Sequence, residues 1–234
     1  MLRFGHGMTV LLVCLLSQAG MVLVVEAGAH VKGPVSFRGI VPGAETMPVT
    51  ADTELCGKEA LIQTVQVNKH TLGLRHVVVN VKGIPSPIHD GVGPARIIVN
   101  TKCAFEPRVA AARFGETLEI QNLDPILHNT HVVVGKKTIL NVAQVAGSRP
   151  IPKTLKRTGL HALRCDKHTF MAGALQVFDH PYFAVTNEFG SFQLPPLPVG
   201  SYTIVVWHET LGSFEQELTV PSQGTSTINF DYSS

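Results

Sequence analysis

The sequence is poor in charged and aromatic side chains. Only 15% of its 234 residues are Asp, Glu, Lys or Arg, and 19 cations nearly balance 17 anions. A nucleic-acid-binding surface needs Lys and Arg clustered along one face. Short basic runs such as Lys136–Lys137 do not provide one, so we expect no nucleic-acid partner.

Recognisable catalytic motifs are missing as well. The sequence contains no nucleophile elbow, no Gly-rich phosphate loop and no His-Glu-x-x-His helix. The adjacent pair His208 and Glu209 could suggest a metal or acid–base site, but neighbouring residues of a strand face opposite ways. We expect a hydrogen-bonded structural role for His208, and we do not expect an enzyme.

Residues 1–27 have the composition of a secretory signal peptide. One charged residue, Arg3, precedes Met8–Leu16, an apolar run of the length expected for the signal core. Small-residue cleavage sites follow Ala19 and Ala27, and the second is preferred because it also removes the next apolar run. We expect export to the periplasm or cell envelope. The alternative is an uncleaved N-terminal membrane anchor, for which the apolar stretch is just long enough.

Cysteine is scarce, and its count is informative. Loss of residues 1–27 would leave three of the four cysteines, namely Cys56, Cys103 and Cys165. An odd number in an exported chain indicates one disulfide and one thiol with another task. Pairing Cys56 with Cys103 leaves Cys165 free. The alternative is that Cys56 and Cys103 are separate buried thiols.

Turn residues punctuate the whole chain. The 21 Gly and 15 Pro are scattered between short, alternating apolar runs rich in Val and Ile, a pattern typical of strands. We therefore predict an all-β fold. Its clearest strands are expected at 76–81, 115–122, 160–164 and 174–178.

The most distinctive motif is the run Cys-Asp-Lys-His-Thr-Phe-Met at 165–171, between two predicted strands. It offers a thiolate, an imidazole and a thioether, and His128 upstream offers a second imidazole. Such a donor set suits one copper ion in either oxidation state. Buried Cys and Met are ordinary core residues, but a loop between two strands gives these donors a rigid frame.

The order of strand, polar turn, His-Asn, strand, and Cys-x-x-His-x-x-Met before a last strand resembles the small blue copper proteins, the cupredoxins. The short loop is similar to that of amicyanin-like members. The resemblance implies a Greek-key β-sandwich at 103–179 with the copper ligands His128, Cys165, His168 and Met171. It also implies that the side chain of Asn129 ties the two ligand-bearing loops together.

The same resemblance implies one-electron transfer through a single copper ion, with a redox protein such as a cytochrome or an oxidase as partner. A binuclear centre would need a second cysteine where Thr169 stands. His168 is expected near the surface as the electron exit, with Phe170 as an apolar rim. The alternatives are copper storage or delivery, and a non-redox binding or structural module.

His131 is a further candidate ligand. It follows His128 by three positions, so the two side chains would face opposite sides of a straight strand. A bend after Asn129 would change that relation. We expect His131 to be a structural residue.

Residues 180–234 resemble a second β module. Gly-Ser-Phe at 190–192, Leu-Pro-Val-Gly-Ser-Tyr at 197–202 and the apolar strand that follows are similar to the carboxypeptidase regulatory-like β-sandwich, which also occurs in rhamnogalacturonan lyases. The segment 31–39 looks like the first strand of the same module. The resemblance implies an N-terminal segment at 28–102, the copper domain at 103–179 and a C-terminal sandwich at 180–234 that makes a carbohydrate or protein contact.

Overall fold

The computed structural model describes residues 28–84 and 93–233. The predicted signal peptide at 1–27 lies outside the described residues. Within them, no helix is both long and apolar enough to cross a membrane.

The described chain consists almost wholly of strands, and the all-β prediction is confirmed. One short helix, α1, covers Thr53–Cys56. The strands in chain order are β1 His30–Arg38, β2 Glu45–Pro48, β3 Glu59–Ile62, β4 Val78–Lys82, β5 Arg96–Thr101, β6 Ala104–Glu106, β7 Val109–Arg113, β8 Thr117–Asn122, β9 His128–Val134, β10 Lys137–Gln144, β11 Ile151–Thr154, β12 Gly159–Arg164, β13 Ala172–Phe178, β14 Phe183–Val185, β15 Ser191–Gln193, β16 Gly200–His208, β17 Gly212–Val220, β18 Thr225–Thr227 and β19 Phe230–Ser233.

Strands β5 to β13 form one β-sandwich, named here the central sandwich. One of its sheets has the order β10-β9-β12-β13-β7 and the other has the order β11-β8-β5-β6. Alternating side chains of each sheet point inward, as in β8, where Leu118 and Ile120 are buried. They meet Ile98, Leu163 and Leu175 in a shared apolar core.

A second sandwich, named here the outer sandwich, is built from both ends of the described chain. One sheet has the order β15-β1-β18, with β19 also paired to β1, and the other has the order β14-β4-β16-β17. The strand predicted at 76–81 begins only at Val78. His76 has a φ of 66°, a left-handed conformation that cannot continue an extended strand.

The predicted domain boundaries do not follow this packing. β5 begins at Arg96, before the predicted start of the copper domain at 103, and pairs in parallel with β8 of the central sandwich. The segment 28–102 is therefore divided between the two sandwiches. The segment 31–39, expected to supply the first strand of the module at 180–234, forms β1 and pairs with β15, and β4 joins the same sandwich through β16.

Residues 45–62, comprising β2, α1 and β3 and named here the cap segment, pack on the central sandwich. Val49 belongs to its core, and Met47, Ala60 and Ile62 lie against that core. A disulfide joins Cys56 of the cap segment to Cys103 in the turn between β5 and β6. The cap segment is thus held on the central sandwich by both apolar contacts and a covalent bond.

Candidate metal centre

Three of the four predicted ligands converge inside the central sandwich. One donor atom from each of His128, Cys165 and His168 lies within 4.8 Å of the other two. All three residues are buried, and Met171 is buried in the same apolar cluster as Cys165. Two imidazole nitrogens and a sulfur therefore meet away from solvent.

The segment from Cys165 to Met171 connects β12 to β13. The Cys165 N–H donates to the carbonyl of Met171 at 3.3 Å, and the Met171 N–H donates to the carbonyl of His168 at 2.8 Å. These bonds close the loop across its base and fix the spacing of its donors. β9 lies beside β12 and begins at His128, which brings the second imidazole to this loop.

Three nitrogen atoms lie close to the sulfur of Cys165. The backbone N–H groups of Asn129 and His168 donate to it at 3.5 and 3.4 Å. Nδ1 of His168 lies 3.6 Å from it. Two backbone N–H groups are thus directed at the sulfur that the sequence predicts to be a metal ligand.

Each of the two imidazoles is oriented by a carboxylate. Nε2 of His128 lies 2.8 Å from Asp124 Oδ2, and Nε2 of His168 lies 2.8 Å from Asp52 Oδ2. A carboxylate partner places the ring proton on Nε2 and leaves Nδ1 as a lone-pair donor. Nδ1 of His128 is buried and has no hydrogen-bond partner. A metal ion would satisfy this otherwise unpaired atom.

Asp124 is itself held by backbone amides. The N–H groups of Lys102 and Cys103 donate to its two oxygens at 2.7 and 2.9 Å. Burial alone would raise the pKa of Asp124, but the hydrogen bonds from Cys103, His128 and Lys102 together lower it. Burial lowers the pKa of His128 despite its bond to Asp124. The imidazole of His128 is thus neutral at pH 7, as a metal ligand must be.

Asp52 comes from the cap segment, far from His168 in sequence. It accepts hydrogen bonds from Lys167 Nζ at 2.6 Å and from His168 Nε2 at 2.8 Å. The bond from Lys167 is the main cause that lowers the pKa of Asp52, followed by the bond from His168. Asp52 is therefore an anion placed over the outer edge of the His168 ring.

Neither carboxylate is among the residues predicted from the sequence to belong to the site. Asp124 stands in the polar turn before His128, and a carboxylate four residues from a candidate ligand is a signal that could have found it. Asp52 lies 116 positions from His168, and nothing local to it points to the metal centre.

The His168 ring does not reach the surface itself, and its role as the electron exit stays a prediction. His168 is only 1% exposed, because Asp52 and the cap segment cover that end of the sandwich. Phe170, expected to form an apolar rim, is buried in the same core. The surface above the ring is formed instead by Asp52 and Lys167.

His131 and Asn129 lie beside the three donors. The His131 ring contacts Asp166 Oδ1 at 3.0 Å through Nδ1 and Thr138 at 2.8 Å through Nε2, so both its nitrogens are engaged elsewhere. The carbonyl of the Asn129 side chain accepts the Asp166 N–H, and its amide donates to the Asp166 carboxylate. Asn129 thus links the start of β9 to the Cys165 loop.

Three of the other buried histidines have a partner at Nδ1, whereas Nε2 of His161 and of His208 is buried without one. His161 Nδ1 lies 3.0 Å from the carbonyl of Gly159. His180 accepts the Tyr182 N–H, and His208 accepts the N–H groups of Thr210 and Leu211 through Nδ1. Glu209 pairs with Arg108 at 2.6 Å, so His208 and Glu209 do not act as a pair.

A second cluster among the described residues joins Cys103, Asp124 and His128. The Cys103 sulfur is bonded to Cys56, so it is not available as a thiolate. Of these two clusters, the one formed by His128, Cys165 and His168 can therefore hold a metal ion.

No protein-family model and no curated protein matches the chain. Among solved structures, it is similar to the copper-containing nitrite reductase from Thermus scotoductus SA-01, with 21% identity and a TM-score of 0.34 over 41% of this chain and 27% of that one. A reduced mutant of amicyanin aligns with 19% identity and a TM-score of 0.34 over 43% of this chain and 98% of amicyanin. A purple cupredoxin from Nitrosopumilus maritimus aligns with 19% identity and a TM-score of 0.31 over 36% of this chain and 99% of that one.

The chain thus spans about a quarter of the reductase and nearly all of the two small proteins. These identities and TM-scores are too low to assign it to a family.

Proposed function

We propose that the protein binds one copper ion through His128, Cys165, His168 and Met171 and transfers single electrons. The observation that carries the proposal is that one donor atom from each of His128, Cys165 and His168 lies within 4.8 Å of the other two, at a site where Nδ1 of His128 is buried without a hydrogen-bond partner. A lone pair left unpaired in a core is costly unless a ligand uses it.

Copper is the metal that this donor set suits. Two imidazoles and one thiolate with a methionine are the ligands of blue copper sites, which cycle between Cu(II) and Cu(I). Hard cations such as Mg²⁺ and Ca²⁺ prefer oxygen ligands, and the oxygens nearest the centre, those of Asp52 and Asp124, are engaged with the imidazoles.

The arrangement favours electron transfer because the protein's own hydrogen bonds hold the donors in place. The loop is closed by its own backbone bonds, each imidazole has a carboxylate partner, and the thiol receives two N–H bonds. When ligands move little between the two oxidation states of a metal, the reorganisation energy of electron transfer is low. Preorganised groups lower the barrier of a catalysed reaction for the same reason.

We place the protein in the periplasm or cell envelope, with a redox protein such as a cytochrome or an oxidase as its partner. The Cys56–Cys103 disulfide supports an oxidising compartment. Because His168 is covered, the partner would contact Asp52 and Lys167 rather than the ring. The outer sandwich would provide a separate protein or carbohydrate contact.

Copper storage or delivery is the second candidate. The burial of all three donors and of Met171 favours a site that retains its ion. A carrier of electrons keeps the ion through repeated reduction and oxidation, whereas a delivery protein releases Cu(I) to an acceptor.

The absorption spectrum of protein loaded with Cu(II) tests the proposal. We expect an intense thiolate-to-copper charge-transfer band, a blue colour and one copper per chain. Cys165→Ser should abolish the band, because a hydroxyl cannot replace the soft thiolate. His161→Gln, at a buried histidine outside the site, is the matched control and should keep it. A colourless copper-loaded wild type would overturn the proposal.

Repeated redox cycling separates the two candidate functions. The loaded protein is cycled in a voltammetric cell that contains a Cu(I) chelator, and the copper content is measured afterwards. Electron transfer predicts that copper stays bound, whereas delivery predicts its transfer to the chelator during the first reductions.

A further inference from the structure

The Cys56–Cys103 disulfide lies between the two carboxylates that orient the imidazoles. Cys56 ends α1, which begins directly after Asp52. Cys103, its partner, donates its backbone N–H to Asp124. One covalent bond thus connects two parts of the site. The first is the segment whose Asp52 bonds His168, and the second is the turn whose amides bond Asp124, the partner of His128.

The conformation of Asp52 shows that its side chain is directed to the site. Asp52 occupies the N-cap position of α1, where an aspartate normally accepts a hydrogen bond from a helix N–H. Here it makes no side-chain capping bond, and its φ of 52° is left-handed, a conformation that few residues other than glycine, asparagine and aspartate adopt. Its carboxylate instead accepts from His168 and Lys167.

The turn that carries Cys103 also has a left-handed backbone. Lys102 and Cys103 have φ values of 51° and 55°, and two positive φ angles in a two-residue hairpin turn are usually supplied by Asn-Gly. Both amides of this turn point to Asp124. Asp52, Lys102 and Cys103 are three of the five described residues other than glycine that have a positive φ.

We propose that the Cys56–Cys103 disulfide is a positioning element of the metal centre, an inference that rests on the copper site proposed above. It fixes Asp52 relative to Asp124, so that both carboxylates hold their imidazoles at Nε2. The oxidised disulfide is therefore part of what makes the site preformed.

The two histidines depend on the disulfide to different degrees. Asp124 receives its two amide bonds from the β5–β6 turn of the central sandwich itself, and these remain when the disulfide is absent. Asp52 stands in the cap segment, whose covalent link to the sandwich is the disulfide. Loss of the disulfide should loosen His168 and leave His128 oriented.

The test begins with the metal-free full chain and needs no copper. Long-range proton–nitrogen NMR spectra report which ring nitrogen carries the proton. Wild type should show His128 and His168 protonated at Nε2. The pair Cys56→Ser/Cys103→Ser should show a mixture of tautomers at His168 and an unchanged His128. If the serine pair folds poorly, Cys56→Val/Cys103→Ala preserves the apolar packing and serves in its place.

Asp52 variants test whether the disulfide acts through that carboxylate. Asp52→Gly removes the side chain and suits the left-handed backbone, so it should reproduce the effect at His168. Asp52→Asn keeps an acceptor oxygen, so His168 should stay protonated at Nε2 in this variant, as in wild type. Glu54→Gln, at an exposed acidic residue of the same helix, is the matched control and should match wild type.

The rate of copper release to a chelator gives the second readout. Loss of a partner of a ligand histidine typically lowers metal affinity about 10-fold to 100-fold, so Asp52→Gly and the disulfide variant should each release Cu(II) faster than wild type. Combining them should add little, because both act on the same contact. An unchanged His168 tautomer in the folded disulfide variant, or full additivity, would overturn the inference. If the tautomers respond as expected but copper gives no blue band, the inference on positioning stands and the proposed function fails.

Discussion

The side chain of Asn129 binds Asp166 at two points, one on its backbone and one on its carboxylate. The Asn129 carbonyl accepts the Asp166 N–H, and its amide lies 3.1 Å from Asp166 Oδ2. Asn129 follows His128 directly and Asp166 follows Cys165 directly. The pair therefore fixes the distance between two of the three donors without touching a metal.

Replacing Asn129 with alanine should lower the free energy of unfolding of the metal-free protein. The change leaves the Asp166 N–H without its acceptor, which costs about 1–3 kcal/mol. Urea denaturation at pH 7 measures it. Asn141→Ala removes a bond to the same Asp166 Oδ2 and one acceptor of the Asn129 amide, but it leaves the Asp166 N–H with its acceptor and should cost less than Asn129→Ala. Equal effects of the two variants would contradict a specific role for Asn129.

His128 and His131 should respond differently to removal. His128→Ala deletes a buried donor and should abolish the copper charge-transfer band. His131→Ala deletes a ring bonded to Asp166 and Thr138 and should keep the band, with affinity reduced by less than about tenfold. Spectra of both variants after loading with Cu(II) provide the measurement. A colourless His131→Ala protein would show that the strand bends enough to bring His131 to the metal.

The parts of the site that follow from local pattern could be predicted from the sequence. Alternation along β12 buries His161, Leu163 and Cys165 in turn, and this period-two pattern is visible in the residues themselves. The loop at 165–171 was likewise expected between two strands, which the structure places at β12 and β13.

The parts that depend on contacts between distant segments could not be predicted in this way. Asp52 reaches His168 only because the cap segment folds over the end of the central sandwich. The residues next to Asp52 and His168 in the sequence do not predict that contact. The same holds for β5, whose partner in the sheet is β8. Register between distant strands is set by tertiary packing, so a boundary placed at 103 from a local motif missed it.

Gly33 tests whether the N-terminal strand is integral to the outer sandwich. A Cβ at this position would lie 1.8 Å from the carbonyl oxygen of Ile228, a backbone atom that cannot yield easily. Gly33→Ala should therefore lower the free energy of unfolding by about 1–3 kcal/mol, as overpacking of a core does. Thermal and urea unfolding measure the loss.

Gly43→Ala is the matched control for Gly33. A Cβ at Gly43 would meet nothing within 4 Å, so the substitution should change the free energy of unfolding by no more than about 0.5 kcal/mol. If both variants were equally stable, β1 would not pack against Ile228 as the structure has it.

The buried His76 should make the protein less stable in mild acid. Burial lowers the pKa of His76 to about 4, and the charges of Arg75, Arg108 and His208 add to the effect. The unfolded chain has a histidine pKa near 6.5. Between about pH 6.5 and pH 4 the unfolded state therefore binds more protons than the folded state, so stability falls as the pH falls through that window.

His76→Asn isolates this contribution, because asparagine tolerates the left-handed backbone at position 76. We expect the loss of unfolding free energy between pH 7 and pH 4.5 to be smaller than in wild type by about 2 kcal/mol. Urea denaturation of the metal-free proteins at both pH values measures the difference.

Part of the acid sensitivity should remain, since burial also lowers the pKa values of His161, His180 and His208. His70→Asn, at an exposed histidine, is the control and should follow wild type. If His76→Asn retained the full loss in acid, His76 would have to be protonated in the folded protein, contrary to its burial.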